Sequence, residues 1–418
     1  MLQSKLFTKT QKEVSGEETS AGARYLLRSG YIDKLSAGIY TMLPLGLRVL
    51  QNIEKIIADE MDALGAQRVL MPALTPKSNW ETTGRWQDLD VLYKVESQQK
   101  SEYALGATHE EVVTPLAQRH AFSYKDFPFS IYQIQEKFRD EPHAKSGLLR
   151  GREFLMKDLY SFHVDPKDCD EFYEKVKESY FAIYKAAGLA QSTYLTLAGG
   201  GTFSKFSHEF QTVTDAGEDT IYICDKCGFT VNREIKNEYP KCPECGGTDF
   251  DEKKSTEVGN IFKLGAKYSA AFGFTASGPE GEKLPVLMNC YGIGLTRMMG
   301  TIAEIRNDDK GIVWPDAVAP FKIHLLALAS KDSETNVKID QDCREIYSNL
   351  QKRGNQVIYD DRQGMSAGEK FNDADLMGMP WRIVISQKTL ANGCVEIKRR
   401  DSKDATLVKM GELMSFNF

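Results

Sequence analysis

No stretch of this 418-residue chain is apolar for long enough to cross a bilayer, which excludes a protein built on membrane-spanning helices. Met1–Ser15 is polar and lysine-containing, without the apolar stretch of a secretory signal. Glu13, Glu17 and Glu18 argue against an organellar transit peptide, so the cytoplasm is the expected compartment. Positive charge is not in excess: 53 Lys and Arg stand against 59 Asp and Glu, a formal net charge of -6. A protein wrapped in nucleic acid is thereby excluded, although a local basic face stays compatible with RNA binding. Long internal repeats and low-complexity segments are absent as well. Cysteine is scarce, and only four of the eight fall in Cys-x-x-Cys pairs. In a reducing compartment that pattern speaks for a metal site, not a disulfide framework. Cys169, Cys290, Cys343 and Cys394 have no partner at motif spacing and read as small buried apolar residues.

What is present is the composition of an ordinary globular protein, 41% hydrophobic and 27% charged, and enough chain for two or three domains. Leu47, Leu50, Ile53, Ile57, Met61 and Leu64 recur at helical spacing over 46–64, and Gly65 follows as a stop. Gln67–Pro72 then reads as a strand ended by proline. A second helix is expected over 168–187, with Phe172, Val176, Tyr180, Ile183 and Tyr184 on one face. Leu197–Thr202 contains three consecutive glycines and must be a flexible or tightly turning loop. Between 222 and 256 the composition shifts to cysteine, charge, Pro and Gly, which marks an inserted module. Pro315–Pro320 is a natural hinge. Beyond it a strand (Ile323–Ala329), a helix (335–353), a strand (Gln356–Tyr359), a helix (367–377) and a strand (Arg382–Ser386) predict a small α/β domain with a mainly parallel sheet. The expected domains are 1–318, the insert 222–256 within it, and 320–418.

Two constellations carry chemistry. Cys224-x-x-Cys227 and Cys242-x-x-Cys245, each followed by glycine, offer four thiolates for a tetrahedral structural Zn²⁺. A redox dithiol or a metal-free ribbon is the alternative. Such a closed site leaves no open position, so the metal would fold the segment and not catalyse. The second runs from Gln135 to His163, where Arg139 and Arg150 frame a Gly-containing turn and each sits in a context that reads as a strand. Arginine grips phosphate or carboxylate bidentately and keeps its charge, although paired surface arginines on strands would look the same. Far downstream, Cys290-Tyr-Gly-Ile-Gly-Leu-Thr-Arg297 places a third arginine just after a strand and a Gly-x-Gly turn.

Together these segments resemble the second and third signature motifs of class II aminoacyl-tRNA synthetases, F-R-x-E…R-x-x-x-F and G-h-G-h-x-R. The 46–72 unit is similar to the first motif, which builds the dimer interface in that family. On periodicity alone it is equally an ordinary helix packed on a sheet. The resemblance implies an α+β catalytic domain, an antiparallel sheet flanked by helices, that joins an amino acid to ATP with Mg²⁺. Arg139 would bridge amino-acid carboxylate and α-phosphate, and Glu141 would hold the adenine or ribose side. Arg150 and Arg297 would grip the outer phosphates, Phe154 would stack on adenine, and Gln211 would also contact ATP. Glu257 would ligate Mg²⁺, a surface carboxylate being the alternative.

Within the class, Leu105–Thr114 resembles the T-x-E loop of prolyl-tRNA synthetases, especially the bacterial form. Thr108 and Glu110 can satisfy the two N–H donors of a secondary ammonium, although Thr-His-Glu-Glu alone is also a helix start resembling a capping box. Met156–His163, Ser207–Gln211, Gly311–Asp316 and Asp360–Arg362 look like the same family in the same order, over nearly the whole chain. The resemblance implies a proline pocket shaped by Met156, Asp158, Tyr160 and Phe162, with His208 beside the substrate, while His163 reads equally as a core histidine. It further implies tRNA(Pro), L-proline and ATP as ligands, a homodimer, and a C-terminal anticodon-binding domain in which Arg362, Lys370 and Phe371 lie on a loop and helix where anticodon bases could stack and pair, a solvated helix face being the alternative.

Three departures stand out. Ala107 replaces the proline common before the threonine. The loop Pro142-His-Ala-Lys145 is poor in arginine. The short zinc-ribbon-like segment occupies the place of a domain of more than a hundred residues that hydrolyses mischarged alanyl-tRNA, so editing in cis is not expected. A noncatalytic synthetase-like paralogue that binds RNA or protein is the rival from another class. A threonyl or seryl enzyme is the other rival, and the clustered thiols do not match the scattered zinc ligands of threonyl enzymes.

Overall fold

The computed structural model describes residues 1–14, 18–144 and 146–418; Ser15 and Glu17, used above in reading the N-terminal segment, and Lys145 of the arginine-poor loop lie outside the described residues. The chain divides into two compact units. One comprises Leu35–Tyr40 and Ile53–Thr301; the other comprises Met1–Lys34, Thr41–Asn52 and Ile302–Phe418.

Helix α1 (Pro44–Ala63) forms where the apolar periodicity placed it, and Gly65 takes the left-handed φ of +78° that ends it. Leu50, Ile53, Ile57 and Met61 are buried, while Leu47 is exposed. The strand after it is shorter than expected: β1 is only Gln67–Arg68, and one further bond follows, from Val69 N–H to the Tyr132 carbonyl. Pro72 has no N–H to continue the ladder.

The larger unit is built on a nine-stranded sheet. After β1 come β2 (Phe129–Phe138) and β3 (Glu153–His163), then helix α2 (Pro166–Ala186). Next are β4 (Thr193–Gly199), β5 (Phe206–Val213), β6 (Asp219–Cys224), β7 (Thr230–Asn232), β8 (Phe250–Gly265) and β9 (Leu287–Gly294). Helix α3 (Leu295–Ile305) follows β9 directly. The spatial order is β5-β4-β7-β6-β8-β9-β3-β2-β1, with β5 also paired to β8. Neighbours are antiparallel except β1–β2 and β4–β7. Residues 222–256 are not hung outside this sheet: the compositional boundaries fall inside β6 and β8, and β6 pairs with β8 from Asp219↔Ser255 to Cys224↔Phe250.

The two faces of the sheet have different jobs. Helix α2, capped by the Asp165 side chain, covers one face with buried Tyr173, Val176, Tyr180 and Tyr184. Its approach requires a glycine at 259, where a Cβ would stand 2.3 Å from the Tyr184 hydroxyl. Lys157 of β3 points into this layer, fully buried, and donates to the Tyr180 hydroxyl (2.6 Å) and the Tyr291 carbonyl (3.0 Å). Burial pushes its pKa down to about 7, against about 10.5 in an unfolded chain. Folding therefore releases a proton at neutral pH, and the penalty shrinks as pH rises toward the unfolded value. The stability gained by Lys157→Met, measured by chemical denaturation, should fall by about 1.4 kcal/mol for each pH unit between 8 and 10. A difference independent of pH would show that Lys157 is charged in the fold.

The other unit contains a five-stranded sheet. Strand β10 (Ile323–Ala327) leads to helix α4 (Ser333–Lys352), β11 (Val357–Asp360), helix α5 (Ala367–Met377) and β12 (Trp381–Ile385). The order is β11-β10-β12 in parallel, as expected, extended by two antiparallel strands, β13 (Cys394–Arg399) and β14 (Ala405–Lys409), that the pattern did not announce. Two of the residues expected near the anticodon have partners within the fold. The buried Lys370 ammonium donates to the Ala327 carbonyl (2.9 Å), and Arg362 pairs with Asp360 (2.7 Å) and Asp373 (2.8 Å). Phe371 lies under the Arg382 guanidinium, 4.6 Å from the ring centre.

Candidate active site

The face of the sheet opposite α2 opens into a cavity of about 290 Å³. Strand alternation selects its floor: Phe154, Met156, Asp158 and Tyr160 of β3 point one way, while Lys157 points into α2. Thr108, Glu110, Arg139, Glu257 and Arg297 complete the expected residues that line it, together with Gly199–Phe203 and Cys290.

Arg139 stands just past the end of β2, where its N–H donates to the Arg152 carbonyl (2.8 Å). Its guanidinium lies 5.3 Å from the centre of the Phe154 ring, and Nε reaches the Ala107 carbonyl only at 3.4 Å. Burial and the nearby Arg297 both lower its pKa, so the site holds two cations against their mutual repulsion. Arg297, in the first turn of α3, donates to the Glu257 carbonyl (2.7 Å) and approaches its carboxylate at 3.4 Å.

Glu141 and Arg150 lie outside the cavity lining and pair with each other at 2.6 Å; Arg150 also reaches Glu218 at 2.6 Å. Burial works against the Arg150 charge, but these hydrogen bonds outweigh it and raise its pKa. Arg150 sits before β3 and not within a strand.

At the opposite end, the Thr108 hydroxyl donates to Glu110 Oε2 at 2.5 Å. Asp158 is surrounded by donors: Lys137 Nζ at 2.7 Å, Gln133 Nε2 at 3.0 Å and the Tyr160 hydroxyl at 2.9 Å. Burial opposes its ionisation, yet Lys137, His109 and these hydrogen bonds outweigh burial and hold its pKa below the usual value. His109, buried beneath and next to Lys137, is pushed down to about 4 and is neutral at pH 7. Phe162 continues the row of β3 but lies beyond the cavity, in the core, stacked on Phe129 at 4.8 Å. His163 is a core histidine paired with Asp168.

His208 is a correction. Alternation along β5 turns it toward α2, where Nδ1 meets the Tyr173 hydroxyl at 2.8 Å, so it does not line the cavity. Its neighbour Glu209, passed over in the sequence, takes the other face. Glu209 accepts from Gln211 (2.9 Å) and Asn232 (3.0 Å), and from Asn260 of the cavity wall at 3.4 Å. Burial, with Glu257 nearby, raises its pKa to about 8. Gln211 also donates to Asp219 (2.9 Å) and does not itself line the cavity.

The four thiols of Cys224, Cys227, Cys242 and Cys245 lie within 4.8 Å of one another, with Sγ pairs 3.6 Å (224–245) and 3.5 Å (227–242) apart. A Zn–S length of about 2.3 Å makes the edge of a ZnS₄ tetrahedron about 3.8 Å, so the thiols fit that metal. Gly228 and Gly246 adopt φ of +77° and +71°. The turns they make direct the next N–H groups, of Phe229 and Gly247, to Cys227 and Cys245.

Comparison with known proteins fits this geometry. Residues 93–306 match the family described as tRNA synthetase class II core domain (G, H, P, S and T), and 317–416 match the anticodon binding domain family. A proline--tRNA ligase of Wolbachia sp. subsp. Brugia malayi is 38% identical over 428 aligned positions, covering 99% of this chain and 98% of the relative. The chain belongs to the proline--tRNA ligase family. A second member, from Dehalococcoides mccartyi, is 31% identical with the same coverage, but over 563 aligned positions. Among solved structures, Giardia lamblia prolyl-tRNA synthetase in complex with prolyl-adenylate shares the fold, with a TM-score of 0.77 and 20% identity over 93% of this chain and 73% of that one. No helix among the described residues is long and apolar enough to cross a membrane.

Lys137, like Glu209, is a site residue that sequence reasoning missed. Lys137 shared the alternate spacing of Gln133 and Gln135, three polar residues in succession on one face of β2, and that was a readable signal.

Proposed function

We propose that the chain activates L-proline with ATP and transfers it to tRNA(Pro). The observation that carries this reading is the gathering of Thr108, Glu110, Arg139 and Arg297, from three separate segments, around one cavity. Thr108 and Glu110 accept the two N–H donors of the prolinium. Met156 and Tyr160 pack on the ring, and Asp158, anchored by Lys137, keeps that wall fixed. Phe162 supports it from the core.

A proline carboxylate oxygen attacks the α-phosphorus, and the bond to the bridging oxygen of pyrophosphate breaks. Arg139 spans the attacking carboxylate and the α-phosphate; Arg297 neutralises the outer phosphates. Phe154 stacks on adenine, with Glu141, Arg150 and Gln211 framing the nucleotide from outside the described cavity lining. Mg²⁺, held through Glu257, would supply further charge neutralisation to the phosphates. The terminal adenosine hydroxyl of the tRNA then attacks the prolyl carbonyl and AMP leaves.

Zinc held by the four cysteines would brace β6 and β8, and the clustered free thiols suit the reducing cytoplasm. The 563-position alignment, against 428 with the Wolbachia relative, supports the absence here of an editing domain. A homodimer would be formed through the 46–72 region, where Leu70 is exposed. The C-terminal residues 320–418, with 1–318 as the catalytic part and 222–256 as its insert, would bind the anticodon.

Purified protein should catalyse proline-dependent ATP–pyrophosphate exchange, with weaker exchange for alanine and none for the other amino acids. Absence of exchange from folded, zinc-loaded protein with every amino acid would instead support a noncatalytic RNA-binding role. Accumulation of alanyl-tRNA is the expected companion result if the chain lacks an editing domain, as proposed.

A further inference from the structure

Glu110 and Glu111 are adjacent carboxylates at the start of a helix, and both are at least 99% buried. Two such charges side by side do not persist without a cation. The cation is Arg85, itself 3% exposed, which lies outside every motif discussed above. Its Nη1 lies 3.0 Å from Glu111 Oε1 and 3.3 Å from Glu110 Oε2, the oxygen that also accepts from Thr108.

Three aromatic rings hold the guanidinium: Phe203 at 4.6 Å, Trp80 at 5.7 Å and Tyr268 at 5.7 Å. Gly84, at φ +75°, turns the chain into the short helix that carries Arg85. The next residue, Trp86, anchors that helix in a small core with Trp80 and Ala107, the residue before Thr108. The arginine and the recognition loop are thus fixed to one packed cluster.

We propose that Arg85 is a positioning residue for amino-acid recognition, sharing one guanidinium between Glu110 and Glu111 so that the Glu110 carboxylate stays charged and aimed at the substrate ammonium. This rests on the proline-activating reading above and deepens it. Without the guanidinium, the buried carboxylates share a proton, and a Glu110 that carries it loses the negative charge and one of the two acceptor oxygens that meet the ammonium. Loss should therefore fall on amino-acid binding and spare ATP, whose expected contacts lie at Arg139, Phe154 and Arg297.

The test is pyrophosphate exchange with Arg85→Met and Arg85→Lys, with KM for proline and ATP measured separately. Arg85→Met should raise the proline KM at least 30-fold and leave the ATP KM within twofold. Arg85→Lys, which keeps charge but loses the planar fork, should lie between it and the wild type. Adding Glu111→Gln to Arg85→Met removes the competing carboxylate and should recover the proline KM by about fivefold. If Arg85→Met does not fold, Arg85→Lys against Arg85→Lys/Glu111→Gln makes the same comparison. Equal rises in both KM values, or no recovery from Glu111→Gln, would overturn the proposal and leave Arg85 a purely structural ion pair. Should the wild type activate a different amino acid, the proline reading falls, and the same KM split is read with that amino acid.

Discussion

Arg139→Ala is expected to lower kcat/KM for proline-dependent pyrophosphate exchange by about 10³-fold, some 4 kcal/mol of transition-state stabilisation. The size follows from the proposed placement: one guanidinium would reach both reacting groups where negative charge builds up, in the cavity that Thr108, Glu110 and Arg297 also line. Arg139→Lys should rescue little, because a point charge cannot bridge carboxylate and phosphate in parallel. Stability should move the other way. The Arg139 side chain makes one long hydrogen bond, to Ala107, and faces the like charge of Arg297. Thermal unfolding of Arg139→Ala should therefore occur at or above the wild-type temperature. A melting temperature lowered by several degrees, or activity within tenfold of wild type, would contradict the role.

Metal removal should have the next largest effect. A dithiol chelator, or Cys242→Ser, should abolish exchange and lower the melting temperature together. Structural Zn²⁺ contributes about 10–16 kcal/mol of apparent binding free energy at neutral pH, comparable to the whole stability of a typical domain, about 5–15 kcal/mol. The loss cannot stay local, because β6, which ends in Cys224, pairs with β8, and β8 runs on to pair with β5 in the catalytic sheet. Asn232, eight residues before Pro240 and inside the ribbon, donates to Glu209 behind the cavity wall. Metal analysis should give one zinc per chain. Full activity and an unchanged melting curve from protein holding less than about a tenth of an equivalent would refute this dependence.

The parts of the site legible in the sequence were those tied to motif spacing. Thr108, Glu110, Arg139 and Arg297 each stood in a pattern, and the fold brings all four to one cavity. His208 was misplaced because the pattern names the segment Ser207–Gln211 but not which alternate residues face the substrate; pairing with β4 and β8 decides that. Arg85 was illegible for another reason. Its partners Glu110 and Glu111 lie on a different element, and nothing local marks a buried arginine off from a surface one. The expected strand over Gln67–Pro72 shrank because only its first residues have a neighbour to pair with.

The pairing of β3 with β9, which sets Asp158 opposite Gly292, joins the middle of the sheet across residues far apart in the chain. Such long-range closure is slow relative to local contacts. On the ribosome, at about 5–20 residues per second, the β2–β3 hairpin must wait on the order of ten seconds for its partner to be made. During that interval the apolar edge of β3 and the cluster of buried charges around Asp158 are open to solvent and to other nascent chains. The sheet beneath the cavity is thus completed only after β9 has been made, late in translation.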